Sequence, residues 1–255
     1  MECPVLIHIP HASLAISEQD LTDFLPSAGE LRHELFRLTD WYTDELFGLG
    51  WAPQNVVQFQ HSRLVVDVER FASDDEEPCV KVGMGATYVK TTKGKSLRNL
   101  TPQRREELIQ NYYIPHHQIF TQKVIQILEQ FNHCVIIDGH SYPTEPLPTQ
   151  TNYKFKPEIG IGTDDLYTSS QLNDLTQNYF KAHGLDVGLN EPFRGTIIPS
   201  KIYKSKDTRV QSVMIEIRRD LYIDESTAEK NSQFESIKRL IHGYRQLVSE
   251  TYLTE

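Results

Sequence analysis

The sequence predicts an α/β protein of three layers: a mixed, mostly parallel sheet with helices on both faces. Two observations carry this. Short apolar, β-branched runs alternate with longer amphipathic segments along the whole chain. Several of those runs (Val5–Ile9, Cys134–Ile137 and Gln211–Ile217) are apolar almost throughout, as strands covered on both faces are. At 255 residues the chain can bury a full core, and one domain over 1–255 is the simplest organisation.

The elements follow in order. Val5–Ile9 opens the sheet and stops at Pro10-His11. Glu30–Leu49 carries Leu31, Leu35, Leu38, Leu46 and Leu49 among its apolar positions and predicts one amphipathic helix. Asn55–Phe59 and Leu64–Val68 predict two strands around His61-Ser62-Arg63. The acidic stretch Ala72–Pro78 is a solvated loop, and Val80–Tyr88 is a short strand-loop element broken by glycines. Thr101-Pro102 starts a helix that runs to Phe131, with Pro115 expected to break or kink it.

Cys134–Ile137 is the next strand, and Ser141–Tyr153, rich in proline, is an irregular loop. Asp164–His183 is helical, with Gly184 as its stop. Short strands are expected at Leu185–Leu189 and Thr196–Pro199. Gln211–Ile217 is a further strand, and Ser226–Thr251 a long closing helix.

The bulk properties exclude several functions. A net charge of −9 argues against nucleic acid, which needs a basic face. No apolar run approaches the roughly 20 residues of a membrane span. Met1-Glu2-Cys3-Pro4 lacks the basic start of a secretory signal. Cys3, Cys79 and Cys134 form no paired motif, which points to a reducing compartment and a cytoplasmic protein.

Chemistry concentrates where apolar runs end. His11 and His140 each follow a strand-like run, so each projects from the carboxyl edge of the sheet, where ligands collect in open α/β folds. Two histidines and one carboxylate, with a place left for water, make a hydrolytic zinc site. Asp40, beside Trp41 in an apolar-patterned helix, supplies that carboxylate; Asp138, two residues before His140, is the competing candidate or a ligand-orienting group. Glu216 interrupts Val213-Met214-Ile215-Glu216-Ile217, where a charge is costly unless paired or functional, and is the candidate general base. Arg218 shares its strand face. Arg63, Arg70 and Arg194 are candidate clamps for a substrate carboxylate, and His116 and His117 candidate polar donors to the pocket. His8, inside the first strand, is expected to point away from His11 and serve structure.

Taken in order, Ile9-Pro10-His11, Thr39-Asp40-Trp41-Tyr42-Thr43-Asp44-Glu45-Leu46, Ser62-Arg63-Leu64-Val65-Val66-Asp67, Asp138-Gly139-His140-Ser141 and Ile215-Glu216-Ile217-Arg218-Arg219 resemble the N-formylglutamate amidohydrolase family, a relative of the zinc carboxypeptidases. The resemblance implies a phosphorylase/hydrolase-like, zinc carboxypeptidase-like fold. Asp40-Trp41 resembles the Glu-Trp pair of the carboxypeptidase metal motif, and Gly139-His140-Ser141-Tyr142 its second histidine string. Glu69-Arg70 stands at the Asn-Arg substrate motif, with glutamate in place of asparagine. The usual late glycine pair is reduced to Arg194-Gly195.

The implied activity is zinc-dependent hydrolysis of an N-acyl amino acid, with N-formyl-L-glutamate as the first candidate. Alternatives are a peptidase or deacylase on another N-acyl amino acid, and a non-catalytic binding protein on the same scaffold.

Overall fold

A computed structural model describes residues 3–147 and 156–253. Six strands form one sheet: β1 (Val5–Ile9), β2 (Val56–Gln58), β3 (Cys134–Tyr142), β4 (Ile159–Gly162), β5 (Val187–Leu189) and β6 (Val210–Arg218), in the order β2-β1-β3-β6-β4-β5. β2, β1, β3 and β6 are mutually parallel; β4 runs antiparallel to β6 and parallel to β5. The sheet is mixed and mostly parallel, as the alternation of runs predicts.

The helices are α1 (Glu18–Leu21), α2 (Ala28–Leu38), α3 (Pro102–Leu108), α4 (Ile114–Phe131), α5 (Ser170–Ala182), α6 (Ser200–Ser205) and α7 (Phe234–Leu253). Because side chains alternate along a strand, the two sheet faces bury different sets. Val5, Ile7, Val135, Ile137, Val213 and Ile215 pack with residues of α5 and α7. Leu6, Cys134, Ile136 and Val210 pack with Phe120, Val124, Ile127 and Leu128 of α4 and Ile202 of α6. None of the helices among the described residues is long and apolar enough to cross a membrane.

Several elements differ from the sequence expectation. The segment Glu30–Leu49 is not one helix: α2 ends at Leu38, Thr39 is extended, and a π-helical turn spans Asp44–Gly48. The break has local causes. The Trp41 indole N–H donates to the Phe36 carbonyl, an acceptor the helix end would leave bare, and the Thr39 hydroxyl joins its own N–H on the Leu35 carbonyl. Tyr42 then adopts a left-handed φ of 57°.

Leu64–Val68 is buried but forms turns, not a strand. The Asp67 carboxylate accepts from the Glu69 N–H, a local bond that competes with ladder pairing. Val80–Tyr88 holds the end of a 3₁₀ turn, Pro78–Val82, closed by left-handed Gly83. Thr196–Pro199 is extended without a ladder, because Thr196 and the Ile197 carbonyl bond the Ser212 hydroxyl instead.

The helical run is divided just before Pro115. A π-helical turn, Ile109–Tyr113, separates α3 from α4 and places the proline in the first turn of α4, where it lacks only a donor that needs no partner. β3 extends past the expected Ile137 to Tyr142, so Asp138 and His140 lie within the strand. The predicted loop Ser141–Tyr153 lies partly outside the described residues. The closing helix starts at Phe234, later than the expected Ser226.

Candidate metal centre and active site

The parallel register sets the first half of the site. His8 pairs with Asp138 across β1 and β3, and His140 pairs with Glu216 across β3 and β6. All four side chains belong to the sheet face that α4 covers, the face of Leu6, Ile136 and Val210. Two glycines allow close packing here, Gly139 on the opposite face of β3 and Gly160 beside Glu216. A Cβ on Gly139 would sit 2.6 Å from the Phe47 ring, and one on Gly160 would sit 3.2 Å from Glu216 Cβ and 2.8 Å from the Glu191 carbonyl oxygen.

Past Ile9 the chain leaves the strand, and this returns His11 to the same place. His11 therefore does not point away from His8's neighbourhood, because the alternation of β1 stops before it. The His11 carbonyl accepts from the Asp40 N–H at 3.0 Å, which ties the two loops together. Asp40 Oδ2 then lies 3.6 Å from His11 Nδ1 and 3.1 Å from His140 Nδ1. One ligand atom from each of His11, Asp40 and His140 falls within 4.8 Å of the others, all three residues being buried. Arg219 Nη2 donates to the other Asp40 oxygen at 3.0 Å, fixing the carboxylate from behind. Burial alone would raise the Asp40 pKa, yet the adjacent His11 and His140 imidazoles and the Arg219 charge hold it well below the usual range.

The second half comes from the turns at 62–70. Asp67 accepts from His11 Nε2 at 2.9 Å, from the Tyr88 hydroxyl at 2.6 Å and from Arg63 Nη2 at 2.7 Å. It too is held well below the carboxylate range: burial opposes this, but the Arg63 and His11 charges outweigh it. With Nε2 of His11 so engaged, its buried Nδ1 has no hydrogen-bond partner and faces Asp40. A carboxylate behind an imidazole with its other nitrogen free is the arrangement that orients a metal ligand.

Glu216 is 7 % exposed, and its Oε2 has no hydrogen-bond partner. Burial pushes its carboxyl up to about 8; the Asp40 charge adds to the rise, while His140, Arg219 and Arg63 oppose it.

The candidate arginines divide. Arg63 is committed to Asp67. Arg70 lies at the edge of the same cluster, its Nε 3.9 Å from Asp67 Oδ2 and without a hydrogen-bond partner. Arg194 is exposed and faces Asp165. Arg218 bonds Asp220 and the Lys156 carbonyl and makes no hydrogen bond to Glu216. Asp138 sits behind His140, 3.1 Å from its Nε2, and accepts from His8 Nδ1 at 2.8 Å. His117 bonds the Val68 carbonyl and so anchors the 62–70 turns to α4; burial lowers its pKa to about 4. His116 meets His8, Nε2 to Nε2, at 3.0 Å.

Two residues had no role in the sequence reading. Asp67 interrupts Leu64-Val65-Val66-Asp67-Val68 as Glu216 interrupts its own run, so the same cost argument singles it out. Arg219 follows β6 in a 3₁₀ turn, and no spacing in the sequence marks it apart from Arg218.

Comparison with known proteins gives a family and a fold. A family model of N-formylglutamate amidohydrolase matches residues 3–223. The crystal structure of an N-formylglutamate amidohydrolase from Ralstonia eutropha JMP134 superposes with a TM-score of 0.80 at 22 % identity, over 99 % of this chain and 94 % of that one. A gene product of Agrobacterium tumefaciens superposes with a TM-score of 0.65 at 20 % identity, over 97 % of this chain and 92 % of that one. No curated protein matches the chain. The family match spans most of the sequence, and the chain belongs to the N-formylglutamate amidohydrolase family.

Proposed function

We propose that the protein is a zinc-dependent amidohydrolase that cleaves the amide bond of an N-acyl amino acid, N-formyl-L-glutamate first, giving formate and L-glutamate. The observation that carries the metal assignment is the buried, unpartnered Nδ1 of His11, held beside Asp40 and His140 while Asp67 occupies its other nitrogen. Two imidazoles and one carboxylate are a donor set that zinc accepts with a position left open. His11, Asp40 and His140 are the ligands in this reading, and Asp67, Asp138 and Arg219 orient them.

A zinc ion held there would polarise the scissile carbonyl and bring the pKa of water towards about 7. The chain does the rest. Glu216 accepts the proton of the attacking water and passes it to the nitrogen of the departing amine, so that the amide C–N bond breaks as the new C–O bond is completed. Its buried setting, which raises its proton affinity, suits it to hold a proton between the two transfers. Arg70 is the clamp for a substrate carboxylate: its guanidinium is partly exposed, beside the site, and only loosely engaged by Asp67. Glu69, at the position that resembles the family's asparagine, faces His8 and His140, so it is engaged within the site.

The test combines metal analysis with a panel of N-formyl, N-acetyl and dipeptide substrates. The expected result is zinc retained by the wild type and lost in His11→Ala, with turnover highest on N-formyl-L-glutamate. Arg70→Lys should raise KM by roughly 10- to 150-fold with zinc content intact. Bound zinc without turnover on any of these substrates would overturn the assignment and leave a binding protein.

A further inference from the structure

The carboxylates around His11 and His140 are not balanced alike. Asp40 has Arg219 at 3.0 Å, and Asp67 has Arg63 at 2.7 Å. Glu69 and Asp138 face no guanidinium or ammonium within ion-pair distance among the described residues. Their polar neighbours are imidazoles and a backbone donor. His8 Nδ1 lies 2.8 Å from Asp138 Oδ1 and 3.3 Å from Glu69 Oε1. His140 Nε2 lies 3.1 Å from Asp138 Oδ1 and 3.2 Å from Glu69 Oε2. The Ile197 N–H reaches Asp138 Oδ2 at 3.4 Å. Two adjacent carboxylates withdrawn from water without a fixed cation are costly to keep ionised.

Two orphaned atoms point into the same place. His140 Nε2 makes no hydrogen bond although the residue is only 3 % exposed, and Glu69 Oε1 makes none either. Across the cluster, His116 Nε2 holds the far nitrogen of His8 at 3.0 Å, leaving His8 Nδ1 turned to the carboxylates. Phe120 stacks on the His8 ring at 4.6 Å and fixes its plane. The His8 ring is thus held in orientation from its far side and its face.

We propose that His8, Glu69 and Asp138 form a second divalent-metal site beside the His11–Asp40–His140 group, with the His140 imidazole lying between the two. One donor atom from each of the three falls within 4.8 Å of the others. One imidazole and two carboxylates suit zinc, cobalt or manganese, and a single dication neutralises both carboxylates at once. His140 faces Asp40 with Nδ1 and this cluster with Nε2, so an ion in either site changes the electronic character of a group the other site uses. The inference goes beyond the proposed hydrolysis and depends on that reading only for the ion expected at His11, Asp40 and His140.

The test is a count. The full chain, stripped with chelator and titrated with Co²⁺, should saturate at about two ions per chain. Glu69→Gln and Asp40→Ala should each saturate at about one. With Mn²⁺, the saturated wild type should give the electron paramagnetic resonance signature of two neighbouring ions. Saturation of the wild type at a single ion that Glu69→Gln keeps and Asp40→Ala loses would overturn the second site and leave the first. A single ion lost in Glu69→Gln and kept in Asp40→Ala would overturn the first and leave the second. If Glu69→Gln fails to fold, the wild-type count and the manganese spectrum decide: a single, magnetically isolated ion overturns the proposal.

Discussion

His140 and Asp67 are comparably buried and both border the His11–Asp40 pair, His140 at Asp40 and Asp67 at His11, yet they are held by different means. His140 sits on the central strand β3, paired with Glu216 of β6, two residues past the end of the β1 ladder at Asp138. Asp67 sits in turns, in a stretch between β2 and α3 whose only helical element is the 3₁₀ turn at Pro78–Val82. That stretch is fixed by side chains that reach buried backbone. Arg98, 1 % exposed, donates to the Tyr88 carbonyl at 2.6 Å and the Val65 carbonyl at 2.9 Å. Glu34 takes the Thr92 N–H at 2.7 Å, and Glu77 takes those of Phe71 and Cys79. The sheet places residues by register, which is insensitive to any one side chain. The turns depend on a few buried polar groups, each of which is expensive to leave unpaired.

The largest effect should come from the sheet half, at the chemistry itself. Glu216→Gln keeps size and ladder and removes the proton acceptor of the proposed mechanism, so kcat should fall by about 10²–10⁴ with fold and metal content unchanged. Unchanged turnover would take Glu216 out of the reaction.

On the turn side, Arg98→Met should cost about 3 kcal/mol in urea unfolding, because two carbonyls lose a charged donor. Metal affinity should fall with it, since the same stretch carries Asp67. If stability drops while metal affinity holds, Asp67 is placed independently of Arg98 and the contrast weakens.

Asp67→Asn should lower metal affinity by about 10- to 100-fold, the usual consequence of removing the partner behind a ligating histidine. Calorimetric titration with zinc measures it directly. Affinity equal to wild type would show that Arg219 and Asp40 suffice to hold the site.

The smallest effect concerns pH, at the edge of the turn region. Burial would raise the Asp20 pKa, but bonds from Ser17, Tyr112 and Arg104 lower it below the ordinary 3.8. A carboxylate held down in the folded state stabilises it above its unfolded pKa, and that stabilisation is lost as pH falls through the lowered folded value. Asp20→Asn should therefore flatten the stability curve below pH 3.8 and change little of its shape near neutrality. An unaltered acid limb would show that other carboxylates carry it.

The same division explains what the sequence reveals. Val5–Ile9 and the strand around Gln211–Ile217 are legible because buried strands leave continuous apolar runs. His11, His140 and Glu216 stand out because each breaks or ends such a run. Leu64–Val68 leaves the same signature without being a strand, since burial alone does not distinguish a ladder from a turn packed under other loops. Asp40 is placed by an indole and a hydroxyl that end α2, and Arg219 by a turn after β6. The bond that joins the two spans 179 positions, which no local pattern in the sequence displays.

That separation bears on how the protein is made. β3 is flanked by a strand from the start of the chain and by one from near its end, with His8 and Asp138 130 positions apart. During synthesis β1 and β3 can pair early, but the far edge of β3 stays open until residues 210–218 emerge. Glu216 and Arg219 arrive on that last strand and the turn after it. A nascent or truncated chain therefore carries an unpaired central edge and no complete site, and is prone to pairing with other chains. Completion of the candidate site and protection of the central edge are reached in one closing step, the pairing of β6 with β3.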